Sequence, residues 1–211
     1  MTPRIAVVDY GAGNLVSIEQ GLTASSADVV IARDAGAFES ADAVVVPGVG
    51  AAAPAMERLQ TAGLVEPIVE WITAERPFLG VCLGLQLLFE TSDEDGARTF
   101  GVLEGRTQRL DRAPTLPHIG WNQVERRRSH PLFDGIADGA DFYFVHSYVG
   151  APTSGDETLA ETEHGSRFVS AVARGRLLGV QFHPERSGAN GLRLVANVVA
   201  LAARAAAGSA A

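Results

Sequence analysis

The 211-residue chain contains no lysine: each of its 17 basic residues is an arginine. Schiff-base chemistry and a Walker-type phosphate lysine are therefore excluded. It has one cysteine, Cys82, so no internal disulfide framework can form, nor a structural zinc site of the paired-cysteine type. Long apolar runs are missing too. Ile5 to Val8 is too short for a signal h-region, and no uninterrupted apolar stretch approaches the roughly 20 residues that span a bilayer. The expectation is a cytoplasmic protein without a membrane partner. Positive charge is scarce, with a formal net charge of -8. Nucleic-acid affinity rests on clustered basic residues, so nucleic acid is not an expected partner. The one basic run, Arg126-Arg127-Arg128, reads as a solvated turn.

A hydrophobic content of 46% over this length can build one substantial core, which predicts a single domain over residues 1–211. The alanine-rich end, 205–211, has little bulk to bury and is expected to fray. Ile5 to Asp9 reads as a buried strand, followed by a glycine-bearing turn (Gly11 to Asn14) and by Leu15, Ile18 and Leu22 at helical spacing. The pattern returns with strands at Val29 to Ala32, Ala43 to Val46 and Phe78 to Val81. One amphipathic helix is expected from Pro54 through Trp71 and another from Leu83 to Phe89. Strands apolar throughout and alternating with helices predict an α/β fold, with a mainly parallel sheet covered on both faces. Arg106 to Leu110, Ile119 to Val124, Phe142 to Tyr148 and Leu159 to Thr162 are further strands. Phe168 to Ala173 and Leu177 to Phe182 form a hairpin across Arg174-Gly175-Arg176, and a last helix runs from about Gly191 to Ala203.

In parallel sheets of this kind active sites gather at the carboxyl ends of the strands. The turns Gly11 to Asn14, Gly48 to Gly50 and Gly80 to Gly84 all follow strands and are expected on that edge. Gly80-Val81-Cys82-Leu83-Gly84 has the form of a nucleophile elbow, in which small residues let a strand turn sharply into a helix. The helix start would favour a thiolate at Cys82, and the Leu83 N-H would point where an oxyanion forms. A lone cysteine can equally be a core filler. A nucleophilic thiol needs a base, and His183-Pro184-Glu185 ends an apolar strand. In extended chain Glu185 shares a side with His183 and can hold its ring. Cysteine, base and orienting acid follow the logic of a catalytic triad. The turn at Pro47 to Gly50 is either an ordinary strand-to-helix connection or the second oxyanion donor, through Val49 or Gly50.

Together these residues resemble the class I, or triad, glutamine amidotransferases, which carry a Gly-x-Cys-x-Gly elbow followed by glutamine, here Gln86, and a late His-Pro-Glu. The likeness covers nearly the whole chain. Asp9 to Asn14, Pro117 to Asn122 and Tyr143 to Tyr148, with Leu85 where many relatives have histidine, are similar to the glutaminase subunits of imidazole glycerol phosphate synthases. The resemblance implies a flavodoxin-like fold with an antiparallel extension in the C-terminal half, and glutamine hydrolysis without a cofactor. It also implies delivery of ammonia to a barrel-shaped cyclase in a heterodimer. By position, Gln86, His146, Ser147 and Tyr148 would seat glutamine, and Glu94 would bind its amino group. Asn14, Trp121 and Arg186 would face the cyclase, Arg186 standing where many members have lysine, although Trp121 also reads as a core aromatic. Glutaminases serving pyridoxal phosphate or anthranilate synthases, a self-contained gamma-glutamyl cysteine hydrolase and a non-catalytic binding subunit stay open as alternatives.

Overall fold

The computed structural model describes residues 2–209. Its strands are β1 (Arg4–Val8), β2 (Asp28–Ala32), β3 (Ala43–Gly48), β4 (Phe78–Cys82), β5 (Thr91–Ser92), β6 (Gly105–Arg109), β7 (His118–Arg126), β8 (Ala140–His146), β9 (Tyr148–Pro152), β10 (Thr158–Glu163), β11 (Arg167–Arg174) and β12 (Leu177–Val180). Helices are α1 (Leu15–Ala24), α2 (Ala52–Thr61), α3 (Val65–Thr73), α4 (Leu83–Gln86) and α5 (Gly188–Ser209). Nine strands form the main sheet, in the order β2-β1-β3-β4-β12-β11-β10-β7-β8. The first five are parallel, in the flavodoxin-like order, and the remaining pairs are antiparallel. A small second sheet joins β5, β6 and β9.

The unbroken apolar character of the parallel strands follows from burial on both sides. Along β1, Ile5 and Val7 enter one core with Ile18, Leu22, Leu194 and Val198 of α1 and α5. Ala6 and Val8 enter the other, with Ala55, Leu59, Ile68 and Trp71 of α2 and α3. The period-2 pleat thus feeds two helical layers, and from Ile5 to Val8 no position is left for a solvent-facing polar residue.

Several boundaries differ from the sequence reading. The single helix expected from Pro54 through Trp71 is two, because Gly63 (φ 65°) takes the left-handed conformation that closes α2. The Gly63 N-H donates to Gln60 O and the Leu64 N-H to Leu59 O, the pairing of a Schellman cap. The strand expected from Phe142 to Tyr148 breaks at Ser147 into β8 and β9, which belong to different sheets. The helix after Cys82 is only the turn Leu83–Gln86 rather than a run to Phe89. At the other end α5 is longer than expected, so that 205–209 of the expected frayed tail is helical; Ala210 and Ala211 lie outside the described residues. Residues Gly188–Gly208 are long and apolar enough to cross a membrane by length and composition. Leu194, Val195, Val198, Val199 and Ala202 of this helix are instead buried against the sheet.

Phe182, two residues beyond β12 and just before His183, is fully buried, with its ring 4.2 Å from that of Phe142 and 5.7 Å from that of Phe144. It ties the parallel half of the sheet to β8. Phe182→Ala is expected to lower stability by about 3–5 kcal/mol, the usual cost of removing a buried phenylalanine. Urea unfolding midpoints at unchanged slope would measure it.

Candidate active site

The three glycine-bearing turns do meet at the carboxyl edge. A Cβ placed on Gly13 would lie 3.5 Å from Gly48 N, and one on Gly48 would lie 3.4 Å from Gly84 N. Gly84 packs so closely on β3 that a Cβ there would overlap the Val46 carbonyl, and one on Gly80 would overlap the Gly84 carbonyl. With both positions reduced to backbone, the chain reverses within two residues of Cys82. Cys82 takes φ 54° and ψ -106°. Such a backbone costs a non-glycine residue on the order of 1–3 kcal/mol and persists only where the surroundings impose it.

A cavity of about 470 Å³ opens above this turn and is lined by Cys82, Val49, Gly50, Gln86 and Glu94 on one side. Pro117, Val145, His146, Ser147, Tyr148 and Arg186 line the other. Seven of the eight residues expected to bind substrate thus border one cavity. The eighth, Leu83, is buried beneath it and reaches it at most through its backbone.

The His183 imidazole is held through Nδ1, 2.9 Å from Glu185 Oε1, with both side chains almost wholly buried. The route to this pair differs from the extended one expected. Residues Pro184–Arg186 form a 3-10 turn capped by His183, which folds Glu185 back onto the ring. His183 Nε2 is buried without a hydrogen-bond partner among the described residues. Burial alone would lower the His183 pKa. The nearby Cys82 sulfur and the Glu185 carboxylate, which is hydrogen-bonded at Nδ1, outweigh burial and raise the pKa to about 10. The ring therefore carries a proton at neutral pH, the partner a thiolate requires.

A further expectation needs correction. With α4 reduced to one turn, little aligned dipole stands behind Cys82, since the macrodipole is a sum over many peptides. Two buried glutamines stand beside Cys82. Gln181 Nε2 lies 3.6 Å from Cys82 Sγ, and Gln86 Nε2 donates to Gln181 Oε1 at 3.1 Å and to Tyr148 O at 2.8 Å. Gln181 escaped the sequence reading, although a glutamine inside an otherwise apolar strand is a legible signal of a buried polar role. Ser187 and Tyr10 were missed as well. Ser187 Oγ donates to His183 O at 2.6 Å and accepts the Tyr143 N-H at 2.9 Å, fixing the His183 backbone to β8. The Tyr10 hydroxyl is buried without a partner among the described residues, against the backbone of Gly48. Burial, and then the charge of Cys82, push its pKa up, so it stays a neutral phenol.

Glu94 sits on a loop tied to the start of α2 by the Ala53 N-H, which donates to Asp95 Oδ2 at 2.6 Å. Burial, then the neighbouring Asp95, raises its carboxyl pKa. Of the three expected interface residues, Asn14 caps α1, its amide donating to Ser17 Oγ at 2.8 Å. Trp121 is 57% exposed and so is not a core aromatic. Arg186 lies over the Tyr143 ring at 5.0 Å and borders the cavity as well. The described residues hold no cluster of histidine, cysteine and acidic side chains that could bind a metal ion.

Two more histidines, His146 in the cavity wall and His118 behind it, have a neutral state with a measurable consequence. Burial, then His164, lowers the His118 pKa to about 4, and burial, then His118, lowers that of His146 to about 3. Unfolded, both titrate near pH 6.5. Between those values the unfolded chain binds more protons, so stability rises with pH there and is lost as pH falls from about 6.5 toward 4. Chemical denaturation across this window is expected to show a steady decline. The decline should be shallower in His118→Asn, which has no imidazole to titrate.

Residues 6–200 match the family model described as glutamine amidotransferase class-I. The chain is 47% identical over 202 residues to a protein of Synechococcus elongatus named imidazole glycerol phosphate synthase subunit HisH, covering 94% of this chain and 93% of that one. Proteins of the same name from Dehalococcoides mccartyi and Moorella thermoacetica are 44% and 46% identical, covering 94% and 92% of this chain and 97% and 92% of theirs. Among solved structures, PurLQS from Thermotoga maritima superposes with a TM-score of 0.74 at 16% identity, over 95% of this chain and 99% of that one. A glutamine amidotransferase from the same organism gives 0.65 at 19% identity, over 92% and 80%. At these identities the structural likeness speaks to the fold.

Proposed function

We propose a function for this chain from one premise: it belongs to the class I glutamine amidotransferase family. Its 211 residues act as one glutaminase domain, with Cys82 as nucleophile, His183 as acid and base, and Glu185 as the group that orients His183. The observation that carries this reading is the position of Cys82. It is strained to φ 54° at the wall of a cavity, beside a histidine whose proton affinity its own sulfur raises.

The Cys82 thiolate attacks the side-chain amide carbon of glutamine, and the carbonyl electrons move onto oxygen. N-H groups at Leu83 and at Val49 or Gly50 stabilise that oxyanion. As the tetrahedral adduct collapses, the carbon-nitrogen bond breaks and His183 gives its proton to the nitrogen, which leaves as ammonia. A glutamyl thioester remains. Water then loses a proton to His183, attacks the thioester and releases glutamate, returning the sulfur to thiolate. Gln86, His146, Ser147 and Tyr148 seat the substrate, the last three partly through their backbone, and the Glu94 carboxylate receives its amino group.

The named relatives are subunits of imidazole glycerol phosphate synthase, which supports the same role here, in histidine biosynthesis. In this reading the ammonia passes to a barrel-shaped cyclase that docks on the face carrying Asn14, Trp121 and Arg186. The cyclase forms imidazole glycerol phosphate and an aminoimidazole carboxamide ribonucleotide. Exposed Trp121 and Ile119 on one strand supply apolar area for such a contact. Gly50, at φ 94° with open space around it, lets the oxyanion loop change its donor when the partner binds.

Glutamate release from glutamine tests the reading. Cys82→Ala is expected to fall to the uncatalysed background. Glu185→Gln should lose about 10²-fold or more in kcat, because His183 loses its orienting acceptor. A barrel cyclase with its ribonucleotide substrate should stimulate wild type by on the order of tenfold or more. Turnover in Cys82→Ala would remove the proposed mechanism, and equal rates with and without the cyclase would remove the partner.

A further inference from the structure

His118 lies outside the cavity, yet its hydrogen bonds lead to it in one direction. At the paired ends of β7 and β8, His118 Nδ1 is 3.0 Å from His146 Nε2. His146 Nδ1 is 3.1 Å from Tyr148 O, and a carbonyl can only accept, so the proton of neutral His146 is on Nδ1. His146 Nε2 is then an acceptor, and His118 Nδ1 must carry the proton between them. His118 Nε2, left as an acceptor, is met at 3.2 Å by Asn122 Nδ2. The Asn122 amide is fixed in that sense by its own contacts: Nδ2 donates to Glu163 O at 2.9 Å, and Oδ1 accepts the Gln123 N-H at 2.8 Å. The order Asn122, His118, His146, Tyr148 carbonyl admits a single arrangement of protons while both rings are neutral.

The chain ends on a carbonyl that the site also uses. Tyr148 O accepts from His146 and from Gln86, the side chain that reaches Cys82 through Gln181. It lies just past Ser147, where the backbone passes from one sheet to the other: His146 pairs with His118 of β7, Tyr148 with Arg109 of β6, and Ser147 O accepts the Leu110 N-H at 2.9 Å. The His118 ring is itself clamped, stacked on His164 at 4.0 Å and on Phe144 at 4.9 Å.

We propose that His118 is a positioning residue for glutamine binding: by donating to His146 it fixes that ring's tautomer and, through it, the cavity-lining backbone from His146 to Tyr148. The inference rests on the glutaminase reading above and adds to it a residue that touches no substrate atom. Two variants separate the donor from the bulk of the ring. His118→Phe fills the aromatic stack and cannot donate. His118→Asn places an amide N-H where Nδ1 stood.

The test is steady-state glutamine hydrolysis by the full chain with the cyclase, at matched folded concentration judged by active-site labelling with a cysteine-directed glutamine analogue. Nitrogen NMR of the histidine side chains accompanies it. His118→Phe is expected to raise KM for glutamine about tenfold, the scale of one lost buried hydrogen bond, with kcat changed much less. Its His146 signal should shift from the pure Nδ1-H form to a mixture of tautomers. His118→Asn should restore both KM and the single tautomer. An unchanged KM or tautomer in His118→Phe, or an equal defect in the two variants, would overturn the inference while wild-type turnover kept the glutaminase reading intact. No turnover in wild type would overturn that reading and this inference with it.

Discussion

The close approach of β4's exit turn to β3 is the constraint on which the site depends. Gly84 sits against the Val46 carbonyl with no room for a Cβ, and Gly80 sits as closely against Gly84. This contact is made of backbone, which yields much less readily than a flexible side chain. It holds the chain reversal in place and with it the left-handed conformation of Cys82. The strain of that conformation is small beside the two buried cores that flank β3 and β4, so the fold can hold Cys82 where the chain alone would not place it.

The antiparallel half of the sheet supplies what the parallel half lacks. Five parallel strands present Cys82, the Pro47 to Gly50 turn and His183 on one edge, but that edge is open. Strands β7 and β8 continue the sheet and return over it. The His183 N-H donates to Tyr143 O at 2.8 Å, and Val145 O comes within 3.9 Å of Cys82 Sγ. The far wall of the cavity, Val145 to Tyr148, thus begins on a strand four places away from β12 in sheet order. Phe142, Phe144 and Phe182 fill the space between, which makes one aromatic cluster responsible for the distance between the two walls.

Burial disfavours the charged form of all three histidines of this region, and their neighbours decide whether it prevails. His183 has a carboxylate and a sulfur beside it, and their attraction exceeds the cost of burying a charge. His118 and His146 have each other, aromatic rings and neutral amides, and burial prevails. One patch of protein therefore holds a protonated imidazole beside Cys82 and two neutral ones, His146 in the cavity wall and His118 behind it. The protonated ring has a proton to exchange, and the neutral pair has a fixed pattern of donors and acceptors.

Sequence alone determined what depends on neighbours along the chain. The parallel strands were legible because they are covered on both faces and apolar along their inner positions, as from Ile5 to Val8 and from Ala43 to Val46. The elbow around Cys82 was legible because its steric demand falls on positions two residues either side, and the His183–Glu185 pair because only Pro184 separates them. Three-dimensional structure decided what depends on distant segments. Gly63 ended α2 where apolar periodicity ran on, since a cap is set by backbone conformation and the period by side chains. Ser147 divided β8 from β9 because the two strands pair with different sheets. Exposure of Trp121, burial of Gln181 under Cys82, the link from Ser187 to β8 and the alignment of His118 with His146 all follow from the return of the antiparallel strands, a packing of two cores that no local window of sequence records.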